Sequence, residues 1–314
     1  MELEAKNLVI VLGATAVGKS ATAILLAEEF EGEIINCDSM QVYRGFDIGT
    51  DKISLDQTKK IPHHLLDIAD ASTQFTAADF VKHAVDAIRS IRENQKLPII
   101  AGGTGLYLKA LCDGLFPEGK KDPKIRAKLE RQAKNKGLEF LRESLLKIDP
   151  VYAKKIGKRD KIRIIRALEV FHTTQKAISA HFAATRSPIK DFFILKIGLK
   201  LERSVLYGRI ENRVDRMFEK GIVEEAKSLL AKGVKPDSPP FRALGYKQVL
   251  NHLRGDISLE EAVDSTKKET RRYAKRQMTW FRKMEGIRWF ESDDITSISA
   301  YVRTSLKGRW KKLS

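Results

Sequence analysis

Residues 8–20 read LVIVLGATAVGKS, an apolar run followed by the turn Gly13-Ala14-Thr15-Ala16-Val17-Gly18-Lys19-Ser20. A helical pattern with one apolar side continues over residues 21–30. A strand, a glycine-rich turn that ends in lysine and a hydroxyl residue, and a helix are together typical of a phosphate-binding loop. An ordinary glycine-rich turn is the alternative, but it does not explain why all the fixed positions of the loop are present. The stretch therefore predicts a site for two linked phosphates.

Each fixed residue of this loop has a physical task at such a site. Gly13 and Gly18 let the backbone curl so that successive N–H groups point at an anion. The helix that begins near Lys19 presents free N–H groups and its positive dipole end to the same anion. Lys19 adds a mobile positive charge, and the Ser20 hydroxyl can ligate Mg²⁺. These residues do not indicate which molecule carries the phosphates.

The composition indicates a globular protein with a polyanionic partner. The 314 residues include 58 Lys and Arg against 41 Asp and Glu, a net charge of +17. This excess favours nucleic acid, with an anionic membrane surface as the competing partner. No apolar run reaches the length of a membrane span, so we expect a protein that does not enter membranes and remains in the cytoplasm. Cys37 and Cys112 are too few for a disulfide framework, and His63 and His64 are expected in a loop or an interface rather than at a metal site.

Two further apolar runs, residues 33–36 and 97–101, end in polar residues. Ligands of open α/β sheets bind beyond the carboxyl ends of the strands, so Asp38 is expected near the phosphate loop. A helix cap or a turn is the alternative role of Asp38. The second run ends in Gly102-Gly103-Thr104, where Thr104 offers a hydroxyl to an anion. ATP-hydrolysing proteins usually place an aspartate that holds Mg²⁺ at such a strand end, so the sequence disfavours a motor ATPase or a GTPase.

The pattern of elements predicts an α/β fold, a P-loop NTPase-like parallel sheet flanked by helices, with an inserted helical subdomain. We assign residues 1–113 and 190–314 to the catalytic core with its C-terminal helices, and residues 114–189 to the insert. Residues 120–176 carry 18 lysines and arginines against 7 acidic residues, which is 11 of the 17 net positive charges. Arg163 and Arg166 lie three residues apart, on one face of a helix. Binding of a phosphate backbone is favoured over a merely solvated surface.

Two C-terminal helical segments are ambiguous in the sequence. The arginines within residues 207–218 could face solvent or reach the anion, and periodicity alone does not decide between them. Residues 270–282 interleave cations with Tyr273, Trp280 and Phe281, which suits contact with nucleic acid. An amphipathic helix with its aromatic residues in the core explains the same segment equally well.

Six motifs in order over residues 7–290 resemble the bacterial tRNA dimethylallyltransferase family. They are the phosphate loop, Asp38-Ser39-x-Gln41-x-Tyr43, Gly102-Gly103-Thr104, Arg163-x-x-Arg166-Ala167-Leu168-Glu169, Gly245-Tyr246-Lys247 and Ala274-Lys275-Arg276-Gln277-x-Thr279-Trp280. Each motif is weak alone, apart from the phosphate loop, but the ordered set is specific. Ala14 departs from the proline that many members have, at a position that contributes only its backbone.

The resemblance implies transfer of the dimethylallyl group of dimethylallyl diphosphate to N6 of the adenosine on the 3′ side of a tRNA anticodon. Lys19, Thr104, Arg213 and Mg²⁺ on Ser20 would stabilise the leaving diphosphate, and Asp38 would act as the general base. The adenine would leave its stack to reach the reacting centre. The residues that the resemblance places on tRNA are Asp38, Ser39, Met40, Gln41, Thr104, Arg126, Ile162, Arg163, Ile164, Ile165, Arg166, Arg242, Gly245, Tyr246 and Lys247.

Three other classes of protein are weighed against this hypothesis. A nucleoside or nucleotide kinase would be expected to have the strand-end aspartate and would not need the basic insert. An adenylate isopentenyltransferase, which prenylates a free nucleotide, would also not require that insert. A non-catalytic RNA-binding protein leaves the phosphate loop unexplained. We expect a monomer whose partners are the tRNA anticodon stem-loop and dimethylallyl diphosphate.

Overall fold

Six strands form one parallel sheet in the computed structural model of the chain, which describes residues 6–54, 56–115 and 122–307. The strands are β1 (Asn7–Gly13), β2 (Gly32–Cys37), β3 (His63–His64), β4 (Leu97–Gly102), β5 (Phe193–Lys200) and β6 (Ile287–Glu291). Their order across the sheet is β3-β2-β4-β1-β5-β6, and every pairing is parallel. The predicted parallel α/β sheet is confirmed, and β1 lies near its centre.

The central strands β1 and β4 are apolar because both faces of the sheet are buried there. Successive side chains of a strand point to opposite faces. Val9, Val11 and Ile99 belong to one core cluster, in which α1 also packs, and they are fully buried. Leu8, Ile10 and Leu12 alternate with them and are 0–1% exposed, so the opposite face is covered as well.

Twelve α-helices lie within the described residues. They are α1 (Lys19–Phe30), α2 (Ala77–Glu93), α3 (Gly105–Asp113), α4 (Pro123–Ile148), α5 (Pro150–Lys155), α6 (Lys161–Thr174), α7 (Ile178–Ala184), α8 (Arg203–Glu219), α9 (Ile222–Ala231), α10 (Tyr246–Leu253), α11 (Leu259–Phe281) and α12 (Ile295–Leu306). In the part of the chain that the structure covers, none of them is long and apolar enough to cross a membrane.

The chain divides into two compact units. One comprises Met1–Lys109 and Asp191–Ser314, and contains the sheet. The other, Ala110–Lys190, is here called the helical unit, and its core includes Leu129, Leu141 and Leu168. The division falls within α3, whereas the sequence placed the start of the insert at residue 114. The basic residues Lys120 and Lys121, counted above, lie outside the described residues.

Candidate active site

The phosphate loop begins at the end of β1. Gly13 is required there because a side chain would clash, and Gly18 because its backbone conformation favours glycine. A Cβ atom on Gly13 would lie 2.8 Å from the Leu199 carbonyl oxygen on the neighbouring strand. Gly18 has a φ of 104°, in the left-handed region that glycine adopts readily. It caps α1 and, as a glycine, offers no side chain that could bond to the first amides of that helix. These N–H groups are therefore available to an anion.

Lys19 lies at the base of this loop with its charge partly removed from water. Its Nζ donates a hydrogen bond of 2.7 Å to the Ala14 carbonyl oxygen. Burial lowers the pKa of Lys19 to about 8, although the nearby Asp38 carboxylate opposes this shift, and the Arg213 guanidinium adds to it. A phosphate bound beside Lys19 would stabilise the charged form of this partly desolvated lysine.

A cavity of about 490 Å³ opens beside the loop, and it joins several segments that are distant in sequence. Its lining combines cations with Asp38 and Asp51. The lining residues are Thr15, Ala16, Gly18, Lys19, Ser20, Ala21, Asn36, Asp38, Gln41, Thr50, Asp51, Ala101, Gly102, Gly103, Arg209, Asn212, Arg213, Arg216, Tyr273 and Gln277. Most of the predicted loop residues, Asp38, Gln41 and Arg213 therefore share one cavity. The remaining loop residues Gly13, Ala14 and Val17 are buried and do not belong to the lining of this cavity.

The three arginines within residues 207–218 line this cavity, which answers the question that periodicity left open. Arg213 donates from Nη1 to the Thr15 hydroxyl at 2.8 Å, and its Nε lies 3.3 Å from Asp51 Oδ2. Arg209 and Arg216 line the cavity from the same helix. Only Arg213 was predicted, and the helical spacing of the three arginines was the available signal for the other two.

Asp38 follows β2 directly and is fixed by a turn. Its Oδ1 accepts a hydrogen bond of 2.8 Å from the Met40 N–H, which leaves the other carboxylate oxygen for chemistry. Between these two residues, the Ser39 N–H donates a hydrogen bond of 3.1 Å to the Thr104 hydroxyl. Thr104 was predicted to face the diphosphate, but Gly102 and Gly103 line the cavity in its place. Thr104 instead joins the ends of β2 and β4.

Gln41 lines the cavity while bonding to the segment opposite. Its Nε2 donates to the carbonyl oxygens of Thr50 and Asp51, at 3.1 and 3.2 Å. The Thr50 carbonyl oxygen also accepts from Arg213 Nη2 at 3.4 Å. Residues 50 and 51 are thus held between Gln41 and Arg213.

Tyr246 is a buried structural residue, whereas the sequence analysis placed it among the residues that hold tRNA. The side chain is fully buried, so it cannot touch a solvent-borne partner. Its hydroxyl accepts from the Gly49 N–H at 3.1 Å and donates to the Glu225 carboxylate. Glu225 in turn accepts from the N–H groups of Asp47 and Ile48 at 3.0 and 2.9 Å. Burial and the adjacent Glu225 raise the pKa of Tyr246, so the hydroxyl keeps its proton.

The neighbours of Tyr246 are divided between core and surface. Gly245 is buried at a φ of 92°, and its N–H donates to the Gln248 side chain at 3.0 Å. Arg242 and Lys247 are exposed, so these two cations of the predicted RNA-binding set are accessible.

In the helical unit, the predicted RNA-binding residues also fall into two groups. Ile164 and Ile165 belong to the predicted RNA-binding set, but they are 0% and 1% exposed and pack in the core of the unit. Ile162 and Arg163 are exposed. Arg166 and Arg126 both approach the buried Glu169 carboxylate, at 2.9 and 3.7 Å. Glu169 therefore holds two cations on α4 and α6.

The fit of Mg²⁺ follows from the oxygen atoms around the loop. No group of three His, Cys, Asp or Glu residues able to hold a metal occurs among residues 6–54, 56–115 and 122–307. Mg²⁺ is commonly bound through few protein ligands, together with substrate phosphates and water. The exposed Ser20 hydroxyl on the cavity wall suits that mode of binding.

Comparison with known proteins gives relatives over nearly the whole chain. The family described as IPP transferase matches residues 41–284. A tRNA dimethylallyltransferase of Geobacter metallireducens is 48% identical over 290 residues, which cover 92% of this chain and 94% of that protein. The corresponding protein of Carboxydothermus hydrogenoformans is 46% identical and covers 91% and 92%.

Solved structures of similar fold also match this chain over nearly its whole length. A tRNA isopentenylpyrophosphate transferase of Bacillus halodurans superposes with a TM-score of 0.73 at 40% identity, over 97% of this chain and 98% of that chain. A eukaryotic dimethylallyltransferase, described as acting on tRNA, has a TM-score of 0.82 at 31% identity. This second comparison covers 96% of this chain and 79% of the other.

Proposed function

The chain belongs to the IPP transferase family, and from this premise we propose that it is a tRNA dimethylallyltransferase. It transfers the dimethylallyl group of dimethylallyl diphosphate to N6 of the adenosine 3′-adjacent to the anticodon. The observation that carries the proposal is one cavity that holds a phosphate loop, a cluster of arginines and Asp38. Groups that can bind an anionic leaving group therefore line the same space as a carboxylate that can act as a base.

The chemistry requires that negative charge be stabilised as the diphosphate leaves. The allylic carbon–oxygen bond breaks and its electron pair remains on the diphosphate. Lys19, the uncapped amides of α1 and Arg213 present positive charge and N–H groups where that charge builds up. Donors that are fixed before reaction stabilise such charge more than mobile water does.

The acceptor amine must be aimed at the same carbon and must lose a proton. A nitrogen–carbon bond forms at N6, and the amine proton passes to Asp38. The Met40 N–H fixes one oxygen of this carboxylate at 2.8 Å, so the group has a defined direction. A base of this kind contributes about 10²–10⁴-fold to the rate.

Mg²⁺ fits this proposal, and the Ser20 hydroxyl would hold it beside the phosphate loop. When bound, it would supply positive charge that offsets the charge of the leaving group. Ser20 holds it through its hydroxyl, while Lys19 neutralises the phosphates directly.

The tRNA is held by exposed cations, with Arg163 in the helical unit and Arg242 and Lys247 near α10. We propose that the protein works as a cytoplasmic monomer. The substrate, a tRNA, is a cytoplasmic RNA.

The test is to incubate the protein with radiolabelled dimethylallyl diphosphate, Mg²⁺ and an anticodon stem-loop. We expect label in the RNA, located by nuclease digestion at the adenosine next to the anticodon. A stem-loop with guanosine at that position is the matched control and should remain unlabelled. AMP is offered in parallel, because labelled AMP together with unlabelled RNA would identify a free-nucleotide transferase. Hydrolysis of ATP without any prenylated product would contradict both transfer reactions.

A further inference from the structure

Gln277 joins the two loops that bound the cavity, although no sequence signal gave it a role of its own. It lies on α11 and is 6% exposed. Its Oε1 accepts a hydrogen bond of 2.8 Å from the Thr15 N–H in the phosphate loop. Its Nε2 donates a bond of 2.9 Å to the Gly103 carbonyl oxygen, beyond β4. We infer that Gln277 is a positioning residue that sets the geometry of the diphosphate site; the inference rests on the proposed function.

The position of these bonds explains why a side-chain amide is needed. Strands β1 and β4 pair up to Leu12 and Gly102, where their ladder of backbone hydrogen bonds ends. Beyond this point, the N–H of one loop and the carbonyl of the other have no strand partner. A primary amide carries both a donor and an acceptor, so the Gln277 side chain can bond to the N–H of one loop and to the carbonyl oxygen of the other.

The same contact orients the cations of the cavity. Thr15, held through its N–H by Gln277, accepts a hydrogen bond from Arg213 at its hydroxyl. Because the Thr15 N–H is already engaged, the diphosphate is held by Lys19, Arg213 and the amides at the start of α1. A shift of Thr15 would therefore move Arg213 and the loop together.

Gly103 supplies an independent sign of how closely Gln277 approaches. A Cβ atom at this position would lie 2.3 Å from Gln277 Nε2, much closer than non-bonded atoms allow. The next nearest contacts, Gln277 Cδ and the Gly13 carbonyl oxygen, lie at 3.4 Å. The amide of Gln277 is thus the main obstacle to any side chain at residue 103.

The first test uses Gln277→Leu, which keeps the volume but removes both hydrogen bonds. Binding of inorganic diphosphate with Mg²⁺ is measured by calorimetry, and binding of the stem-loop by filter retention. We expect diphosphate affinity to fall about 10- to 100-fold, because two buried hydrogen bonds are lost. The KM for dimethylallyl diphosphate should rise accordingly, while stem-loop affinity stays within about twofold.

Gln248→Leu is the matched control for loss of stability. It also removes a buried glutamine that accepts a backbone N–H, but far along the chain from the phosphate loop. This variant should bind diphosphate as the wild type does. If Gln277→Leu melts like Gln248→Leu and binds diphosphate normally, Gln277 only stabilises the fold and the inference is wrong.

The second test is a double-mutant cycle between Gly103→Ala and Gln277→Ala. Gly103→Ala alone should weaken diphosphate binding strongly, since its methyl group displaces the Gln277 amide. In the Gln277→Ala background the same change should have little further effect. Additive losses would overturn the inference. A wild-type protein that fails to bind diphosphate at all would instead refute the proposed function.

Discussion

At the residue scale, Asp38 tests the chemistry most directly. Asp38→Asn keeps the oxygen that accepts from the Met40 N–H, so the turn is preserved. It removes the base, so kcat should fall about 10²–10⁴-fold while tRNA affinity changes little. Single-turnover rates with saturating stem-loop separate the two effects. Near-normal turnover would exclude Asp38 from proton transfer.

Lys19 predicts a pH dependence of diphosphate binding. Its pKa of about 8 means that the free protein loses this positive charge as the pH rises above 8. The diphosphate is already ionised there, since the second pKa of phosphate groups is about 6. The Kd should therefore increase from pH 7 to pH 10, by up to about tenfold per pH unit above 8. Lys19→Arg, which stays charged throughout, should bind with little pH dependence; an equally flat curve for the wild type would refute the assignment.

The residues that the sequence predicted are those whose signal is local. The phosphate loop is an unbroken stretch, and Asp38 follows a strand whose end the fold brings to the same edge. Gln277 and Thr15 lie 262 residues apart, so no spacing rule could join them. Burial likewise cannot be read from a short motif, so the buried positions of Tyr246 and Ile164 were not predictable from the sequence.

At the scale of elements, the loop before residue 50 depends on α9 and α10. Tyr246→Phe removes the hydroxyl that bonds to Glu225 and Gly49, without changing the shape of the ring. The buried Gly49 N–H and the partly buried Glu225 carboxylate lose a partner, so the free energy of unfolding should fall by about 1–3 kcal/mol. Urea unfolding measures this loss. A stable variant with weakened tRNA binding would instead support a direct RNA contact.

The main strands and helices were predictable from their apolar periodicity, and the exception is instructive. His63 and His64 were expected in a loop or an interface, yet they form the edge strand β3 beside β2. Two polar residues carry no alternating pattern, and their pairing depends on the neighbouring strand. His64 Nε2 bonds to Glu33 on β2 at 2.7 Å, a partner that only the sheet brings near.

At the scale of the whole molecule, the charge of the helical unit predicts a salt dependence. Arg163 is 55% exposed, and its ion pair within the described residues is with Asp160 at 3.5 Å, so it can contact a phosphate. Arg163→Ala should make the log–log slope of tRNA affinity against salt shallower by about 0.7–0.9.

Arg166→Ala should reduce the stability of the protein, because Glu169 is 2% exposed and would lose its closest partner.

Arg89→Ala is the matched control for the salt-dependence measurement on Arg163→Ala. Arg89 on α2 is 67% exposed and forms the same i,i+3 pair, with Asp86 at 3.9 Å. Its removal should leave the slope unchanged. Equal slopes for wild type and Arg163→Ala would show that Arg163 contacts no phosphate.

The central position of β1 has a consequence for biosynthesis. One of its neighbours, β4, is complete at Gly102, but the other, β5, begins only at Phe193. At about 5–20 residues per second, the ribosome needs on the order of 5–20 s to make the intervening segment. The helical unit, built from contacts within that segment, can fold first, whereas one edge of β1 waits unpaired. Gly13 packs against Leu199, so the phosphate loop closes only after β5 has emerged. Ribosome-arrested chains that end after residue 190 and carry a linker long enough to clear the exit tunnel should therefore protect the helical unit from protease while leaving β1 open to cleavage.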